Sequence, residues 1–105
     1  MSGVAHYKDL LIWQRGVDLV AEVYKMTRDF PREELYGLSV QMRRSAVSVP
    51  SNIAEGFVRK KEKDFKRFLN MALASLAELE TQLVVATPCF RKDVAFRKNN
   101  LGGEK

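Results

Sequence analysis

Residues 48–56 read SVPSNIAEG, which places a proline and four polar side chains inside a stretch otherwise patterned as a helix. Proline in a helix interior removes one backbone hydrogen bond and costs about 3 kcal/mol. The apolar positions nevertheless keep one helical phase across it, with Val49 before Pro50 and Ile53 and Phe57 after it. Burying such a side chain returns about 1.5–3 kcal/mol. The sequence therefore predicts one long helix, kinked at Pro50, rather than two short ones.

Apolar residues also recur at three- and four-residue steps on both sides of this helix, and no strand-like alternation of any length occurs. The pattern predicts three long helices, over about residues 8–28, 34–57 and 62–86. The fold class is therefore all-α, an up-and-down antiparallel helical bundle over residues 1–87, followed by an irregular basic tail over 88–105. The side chains expected to be largely buried are Trp13, Leu38, Met42, Ile53, Phe68, Leu76 and Leu83.

Composition narrows the class of protein. The chain has 105 residues, 46% of them hydrophobic and 30% charged, which is typical of one soluble globular domain. No apolar run reaches the roughly 18 residues of a membrane span, and no secretory signal opens the chain. A single Cys89 favours a reducing compartment, so we expect a cytoplasmic protein with no membrane partner. One histidine and one cysteine cannot build a zinc site, and we expect neither metal nor cofactor.

The positive charge is concentrated in two places, residues 59–67 and the tail, residues 88–105. The net charge is +5, and residues 59–67, RKKEKDFKR, contribute six bases and two acids. Such a patch attracts phosphate backbones, although it is also typical of a solvated helix start. Few exposed aromatic residues accompany it, so phosphate contact is expected rather than base reading. The candidate nucleic-acid-binding residues are Arg59, Lys60, Lys61, Lys63, Lys66 and Arg67, with Arg43 and Arg44 as second choices.

Polar residues form a stripe of their own on the second helix: Gln41, Ser48, Asn52 and Glu55. The stripe is interpreted as an exposed face or a satisfied polar seam between helices, and alternatively as a contact surface for a partner. It is not a catalytic arrangement, because the nearby serines have no base to activate them and His6 is the only histidine. There is no Gly-rich phosphate loop. No enzyme activity and no small-molecule substrate are expected.

The longest motifs of the chain are similar to those of a known protein family. LIWQ at 11–14, QMRRSAVSVPSNIAEG at 41–56 and FLNMALASLAELETQL at 68–83 resemble the four-helix-bundle protein family encoded by bacterial 23S rRNA intervening sequences. The resemblance spans about residues 7–86. It implies an antiparallel bundle that is often oligomeric, has no enzymatic chemistry and has a nucleic-acid role. The same fold is shared by the accessory variability proteins of diversity-generating retroelements, which work with a reverse transcriptase and its RNA.

The chain departs from the family where a fourth amphipathic helix should follow. Residues 88–105 open with Pro88 and show no apolar stripe at helical spacing, so the tail resembles a truncated or frameshifted end. Three helices alone would leave an apolar groove, and exposed patches of that size recruit partners. We expect self-association through this groove, with Val23, Leu73 and Val84 uncovered by the three-helix core.

Two functions are expected from these features. The first is a non-catalytic protein that binds nucleic acid, with RNA preferred, through phosphate contacts of its basic patch and as a homo-oligomer. The alternative is a protein-interaction or assembly module, such as an accessory partner of a reverse transcriptase or a ribonucleoprotein.

Overall fold

The computed structural model describes residues 3–34 and 37–87, and within them the chain is helical without a strand. The elements are α1 (Leu11–Thr27), α2 (Leu38–Val58) and α3 (Glu62–Ala86), with short 3₁₀ turns at Tyr7–Asp9 and Arg32–Glu34. The all-α fold class is thereby confirmed, with three helices in the described part of the chain. The predicted basic tail, residues 88–105, lies outside the described residues.

The middle helix holds the other two. Helices α1 and α3 each pack against α2, in opposite direction to it. Across the described residues, no Cα atom of α1 comes within 8 Å of a Cα atom of α3. Because the outer helices meet only through side chains in the core, a furrow runs between them along the whole bundle.

The core consists of two clusters strung along α2. One joins Val23 of α1 and Leu79 of α3 to Met42 and Ala46, and the other is built from Val49, Ile53 and Ala72. Of the side chains expected in the core, three are buried and three are half-buried at its edges. The buried ones are Met42, Ile53 and Phe68, and the half-buried ones are Trp13, Leu38 and Leu83.

Two burial expectations are wrong, and both errors concern the furrow. Leu76 was expected in the core but is 39% exposed, because it lies on the side of α3 that faces the furrow rather than α2. Val23 was expected to be uncovered but is only 2% exposed, because it packs against Met42 and Leu79. Periodicity identified the apolar stripes correctly, but it could not say which edge of a broad stripe meets α2.

The stretch SVPSNIAEG makes the closest approaches in the bundle. Helix α2 continues through Pro50, as the sequence predicts. Pro50 is buried against Gly16 of α1, where an added Cβ would lie 3.2 Å from the proline Cβ. Gly56 lies against α3, where an added Cβ would come within 2.6 Å of the Cβ of Phe68. The proline and the glycine thus set how closely each outer helix approaches α2.

Candidate functional site

The basic cluster lies at the turn between α2 and α3. Helix α2 ends at Val58, Arg59 caps it, and Lys60 adopts a left-handed backbone with φ of 61°. Glycine is the usual residue at this position after a helix, because a side chain there costs about 1–2 kcal/mol. Lys61 then caps α3, whose first turn carries Glu62. The chain thus places a strained lysine where a glycine would fit better.

Two arginines of the cluster are held against one aromatic ring. The guanidinium groups of Arg59 and Arg67 each lie 4.8 Å from the centroid of the Phe68 ring. Arg59 also lies 3.6 Å from Glu55, and Arg67 lies 3.8 Å from Asp64. The ring and the acids orient both guanidinium groups, while 44% and 58% of the two arginine side chains remain exposed.

The four lysines are freer than the arginines. Lys66 lies 4.0 Å from Glu62 in a pair that is largely exposed, and such pairs contribute little. Lys60, Lys61 and Lys63 are exposed and make no ion pair within residues 3–34 and 37–87. Lys63 and Lys66 share one face of α3 at a spacing of three. The turn therefore presents several solvated ammonium groups beside two stacked guanidinium groups.

The second-choice arginines lie apart from this cluster. Arg43 donates from Nε to the Thr27 hydroxyl at 2.8 Å, and its guanidinium group lies 4.6 Å from the centroid of the Tyr24 ring. These contacts tie α2 to the end of α1. Arg44 is exposed, but it precedes Arg59 by 15 residues, or about 22 Å of helix. A ligand bound at the turn would need to follow α2 to reach it.

Two residues of the predicted polar stripe, Ser48 and Asn52, form hydrogen bonds at the contact between α2 and α3, and the other two, Gln41 and Glu55, lie at the surface. Ser48 hydrogen-bonds the Ser75 hydroxyl at 2.7 Å, and Asn52 donates to the backbone carbonyl and hydroxyl of Ser48 at 2.8 and 2.9 Å. Gln41 is exposed, and Glu55 pairs with Arg59. The stripe therefore supplies part of a hydrogen-bonded seam between α2 and α3.

The seam continues one turn further along both helices. Ser45 donates to the Glu78 carboxylate at 3.0 Å, and Gln82 donates to the same oxygen at 3.3 Å. The serines thus bond side chains of α3, not the backbone carbonyl that Pro50 leaves without its usual donor. Each buried hydroxyl gains a partner, which offsets the cost of removing it from water.

Among the described residues, the furrow between α1 and α3 forms an open apolar face. It contains a hollow of about 500 Å³ near the start of both helices and another of about 310 Å³ near their ends. We call this surface the open face. Its apolar lining comes from both outer helices, with α2 as its floor: Leu11, Ile12, Leu19, Val49, Ile53, Leu69, Ala72, Leu73 and Leu76 in the first hollow, and Met26, Phe30, Leu83, Val84 and Ala86 in the second.

Helix α3 is unusually apolar for its degree of burial. It has 25 residues, and its most apolar 18-residue window has a mean hydropathy of 1.2, which is enough for a membrane crossing by length and composition alone. One such helix is weak evidence for a span, because core helices of soluble proteins meet the same criteria. Only 22% of that window is buried. Helix α3 therefore carries more apolar surface than α2 covers.

The described side chains suggest no metal centre, since no three His, Cys, Asp or Glu residues among them cluster closely enough to hold an ion. Sequence reasoning identified the bases of the turn but missed two features of the surface. These are the stacking of two arginines on Phe68 and the left-handed Lys60. Both depend on how α2 meets α3, which no periodicity reports.

Comparison with known protein families gives one match. Residues 8–91 match the model of the 23S rRNA-intervening sequence protein family. The chain belongs to this family. In this member of the 23S rRNA-intervening sequence proteins, the match includes all of α1, α2 and α3, together with the turn that carries the basic cluster. A search of curated proteins finds no match.

Proposed function

We propose that this protein binds the phosphate backbone of a nucleic acid, RNA in preference, at the turn between α2 and α3, without catalysing a reaction on it. The observation that carries the proposal is the concentration of exposed bases at one turn, with Lys60, Lys61 and Lys63 unpaired within the described residues. Ammonium groups of this kind gain free energy from phosphate contact largely because counterions are released from the polymer.

The strained Lys60 supports the same proposal. A left-handed lysine is disfavoured by about 1–2 kcal/mol, whereas glycine takes this conformation without that cost. Backbone strain of this kind is typical of functional positions. Here the strained residue is itself an exposed base, and it lies between Arg59 and Lys61 in the turn.

The stacked arginines give the site some rigidity. Phe68 is itself buried, so its ring serves as a platform for Arg59 and Arg67 rather than for a base of the ligand. A guanidinium group fixed in this way offers its outward N–H donors to a phosphate with less loss of side-chain freedom. The site is therefore expected to read the backbone and shape of the polymer, with little sequence preference.

Fluorescence anisotropy with a labelled single-stranded RNA tests the proposal. The affinity should fall as salt rises, with a slope of about 0.7 in log–log form for each phosphate contacted. A matched DNA strand and an RNA duplex show whether RNA is preferred. A test variant reverses four bases of the turn: Lys60→Glu, Lys61→Glu, Lys63→Glu and Lys66→Glu.

The control reverses four exposed bases outside the turn, so that both variants change the net charge equally: Lys8→Glu, Lys25→Glu, Arg28→Glu and Arg32→Glu. The turn variant should lose at least about a hundredfold in affinity, while the control loses much less, because screening weakens distant charges. Equal losses in the two variants would mean that net charge alone attracts the RNA, and would overturn the assignment to this turn.

A second candidate function is protein assembly. The observation in its favour is the open face, which the residues described in the structure leave uncovered, because monomeric proteins rarely expose a contiguous apolar surface of this extent. Accessory partnership with a reverse transcriptase or a ribonucleoprotein belongs to this candidate. Capture of one protein that survives nuclease treatment and depends on Leu73 would favour assembly over nucleic-acid binding.

A further inference from the structure

We propose that three aromatic rings near the basic turn, those of His6, Tyr7 and Trp13, form a stacking platform for unpaired bases of the strand that the turn holds. We call these rings the aromatic row. The inference rests on the proposed function and deepens it, because it makes single-stranded nucleic acid the ligand of the turn. Two observations carry it: the rings form a continuous row that ends at the surface, and the fold brings that row to the same end of the bundle as the turn.

The aromatic row runs from the core to the surface. Trp13 packs against the core cluster that contains Val49 and Ile53. The Tyr7 ring meets the Trp13 ring edge-on, with 5.4 Å between centroids, and the centroid of the His6 ring lies 4.4 Å from that of Tyr7 at a tilt of 34°. Trp13 and Tyr7 are half-buried, whereas His6 is exposed. Within the described residues, the outer end of the row is therefore an exposed imidazole ring backed by two further rings.

Hydrogen bonds hold the outer end of the row in place. His6 precedes the 3₁₀ turn Tyr7–Asp9 and accepts through Nδ1 from the backbone N–H of Lys8 at 3.2 Å. Gln14 donates from Nε2 to the carbonyl of Lys8 at 2.8 Å, which ties the same turn to α1. A ring that is already fixed loses little side-chain freedom when a base stacks on it. Such stacking tolerates any sequence, because every base has a π-face.

The row and the basic turn lie at the same end of the bundle. Helices α1 and α2 run in opposite directions and approach closely at Gly16 and Pro50. Tyr7 precedes Gly16 by nine residues and Arg59 follows Pro50 by nine, so the two lie at a similar level along the bundle. The 3₁₀ turn that contains Tyr7 also packs directly on α2. Since packed helices are about 8–10 Å apart, one short strand can contact both the row and the turn.

A single strand fits both features, whereas a duplex fits only one. The turn offers ammonium and guanidinium groups to the phosphates of either form. The row can act only on bases that are unpaired and unstacked, which in RNA occur in loops, bulges and single-stranded ends. The sequence pattern predicts phosphate contact alone, because His6 and Arg59 lie far apart in the chain and only the antiparallel packing joins them.

Fluorescence anisotropy with two labelled strands of equal length tests the platform. One is a single-stranded RNA, and the other is the same sugar–phosphate backbone without bases. The RNA should bind the full chain at least about fivefold more tightly than the abasic strand, which is the gain expected from one stacked base. The ratio of the two affinities isolates the contribution of the bases, because a change of charge on the protein affects both strands alike.

Two substitutions of the exposed His6 separate stacking from the hydrogen bond of the 3₁₀ turn. His6→Asn keeps an acceptor for the backbone N–H of Lys8 and removes the ring, whereas His6→Phe keeps a ring and removes the acceptor. The affinity ratio should fall towards one in His6→Asn and persist in His6→Phe. Tyr24→Leu is the matched control: Tyr24 is 42% exposed near the other end of α1, and its replacement should leave the ratio unchanged.

Equal affinities for the RNA and the abasic strand would overturn the inference and leave the proposed function standing, since phosphate contact needs no base. A ratio that persists in His6→Asn but falls in His6→Phe would also overturn it, because residue 6 would then serve only to cap the 3₁₀ turn. A ratio that persists in both variants would place the stacking elsewhere and overturn it as well. If neither strand binds, the proposed function fails and the inference fails with it.

Discussion

The two long sides of α3 contrast in an unexpected way. The side that faces α2 buries Phe68, Ala72 and Leu79, and polar groups along its edge form hydrogen bonds, among them Ser75, Glu78 and Gln82. The side that faces the furrow is open and almost entirely aliphatic, as Leu73 and Leu76 illustrate. The contrast teaches that α3 carries more aliphatic surface than the described part of the chain covers, and that its polar contacts with α2 lie along one edge of the buried side.

The polar seam also explains why α2 holds α3 in a defined register. Ser48 and Ser45 bond partners that lie one helical turn apart on α3, so sliding α3 by a turn would leave several buried polar groups unpaired. Aliphatic side chains on the open face impose no such penalty. The seam therefore fixes geometry, while the open face supplies apolar area that is available to a partner.

The largest effect should come from replacing one leucine on each side of α3. Leu79 is 1% exposed, and Leu79→Ala should lower the free energy of unfolding by about 2–5 kcal/mol, as other core truncations do. Leu76→Ala should cost less than about 1 kcal/mol in the monomer, and should instead weaken association. Urea denaturation in dilute solution measures both variants. Equal losses in dilute solution would mean that the open face is closed within one chain.

The next largest effect should come from Gly56, which lies against Phe68 where α2 meets α3. Gly56→Ala should lower the free energy of unfolding by about 1–3 kcal/mol, because the new Cβ would approach the Cβ of Phe68 to 2.6 Å and the helices would have to separate. Gly16→Ala serves as the comparison, since its Cβ would lie 3.2 Å from Pro50 and a smaller shift relieves it. Thermal unfolding of the two variants should rank them in that order. A more harmful change at Gly16 would contradict this ranking of the contacts.

Much of this architecture follows from the sequence, and the omissions have physical reasons. Periodicity predicted three helices and the continuity of α2 through Pro50, because helical phase is a local property of the chain. It misjudged Leu76 and Val23, whose burial depends on the angle at which α1 and α3 meet α2. It left open whether Ser48 and Asn52 face a partner or a neighbouring helix. That choice depends on Ser75, which lies 27 residues further along the chain.

The residues of the candidate site were predictable from the sequence, but the backbone conformation and the side-chain contacts of the site were not. Six bases in nine residues are evident from the sequence. The left-handed Lys60 is not, because nothing in RKKEK distinguishes a turn from a helix start. The pairing of Arg59 with Arg67 on Phe68 depends on Gly56, which lets α3 approach α2 closely enough for a side chain of one helix to reach the other.

A smaller effect, of opposite sign, should appear at the turn. Lys60→Gly should raise the free energy of unfolding by about 1 kcal/mol, because glycine adopts the left-handed backbone without strain. Lys63→Gly should lower it by less than about 1 kcal/mol, since Lys63 lies in the first turn of α3. Each variant removes one base, so both should bind RNA somewhat more weakly under the proposed function. A Lys60→Gly variant that binds RNA with unchanged affinity would limit Lys60 to a structural role.

The smallest effect should come from the proline where α1 packs on α2. Pro50→Ala restores a backbone donor for the Ala46 carbonyl, and such a bond contributes about 0.5–1.5 kcal/mol. The change also removes ring atoms that pack against Gly16, and it gives the unfolded chain more freedom. These effects oppose one another, so the free energy of unfolding should change by less than about 1 kcal/mol. Urea denaturation measures it, and a loss above about 2 kcal/mol would mean that the ring's packing on α1 outweighs the hydrogen bond it prevents. That result would make the contact of Pro50 with Gly16 as important for stability as the contact of Gly56 with Phe68. The contact of Pro50 with Gly16 would then hold α1 on α2 without hydrogen bonds of the kind that join α2 to α3.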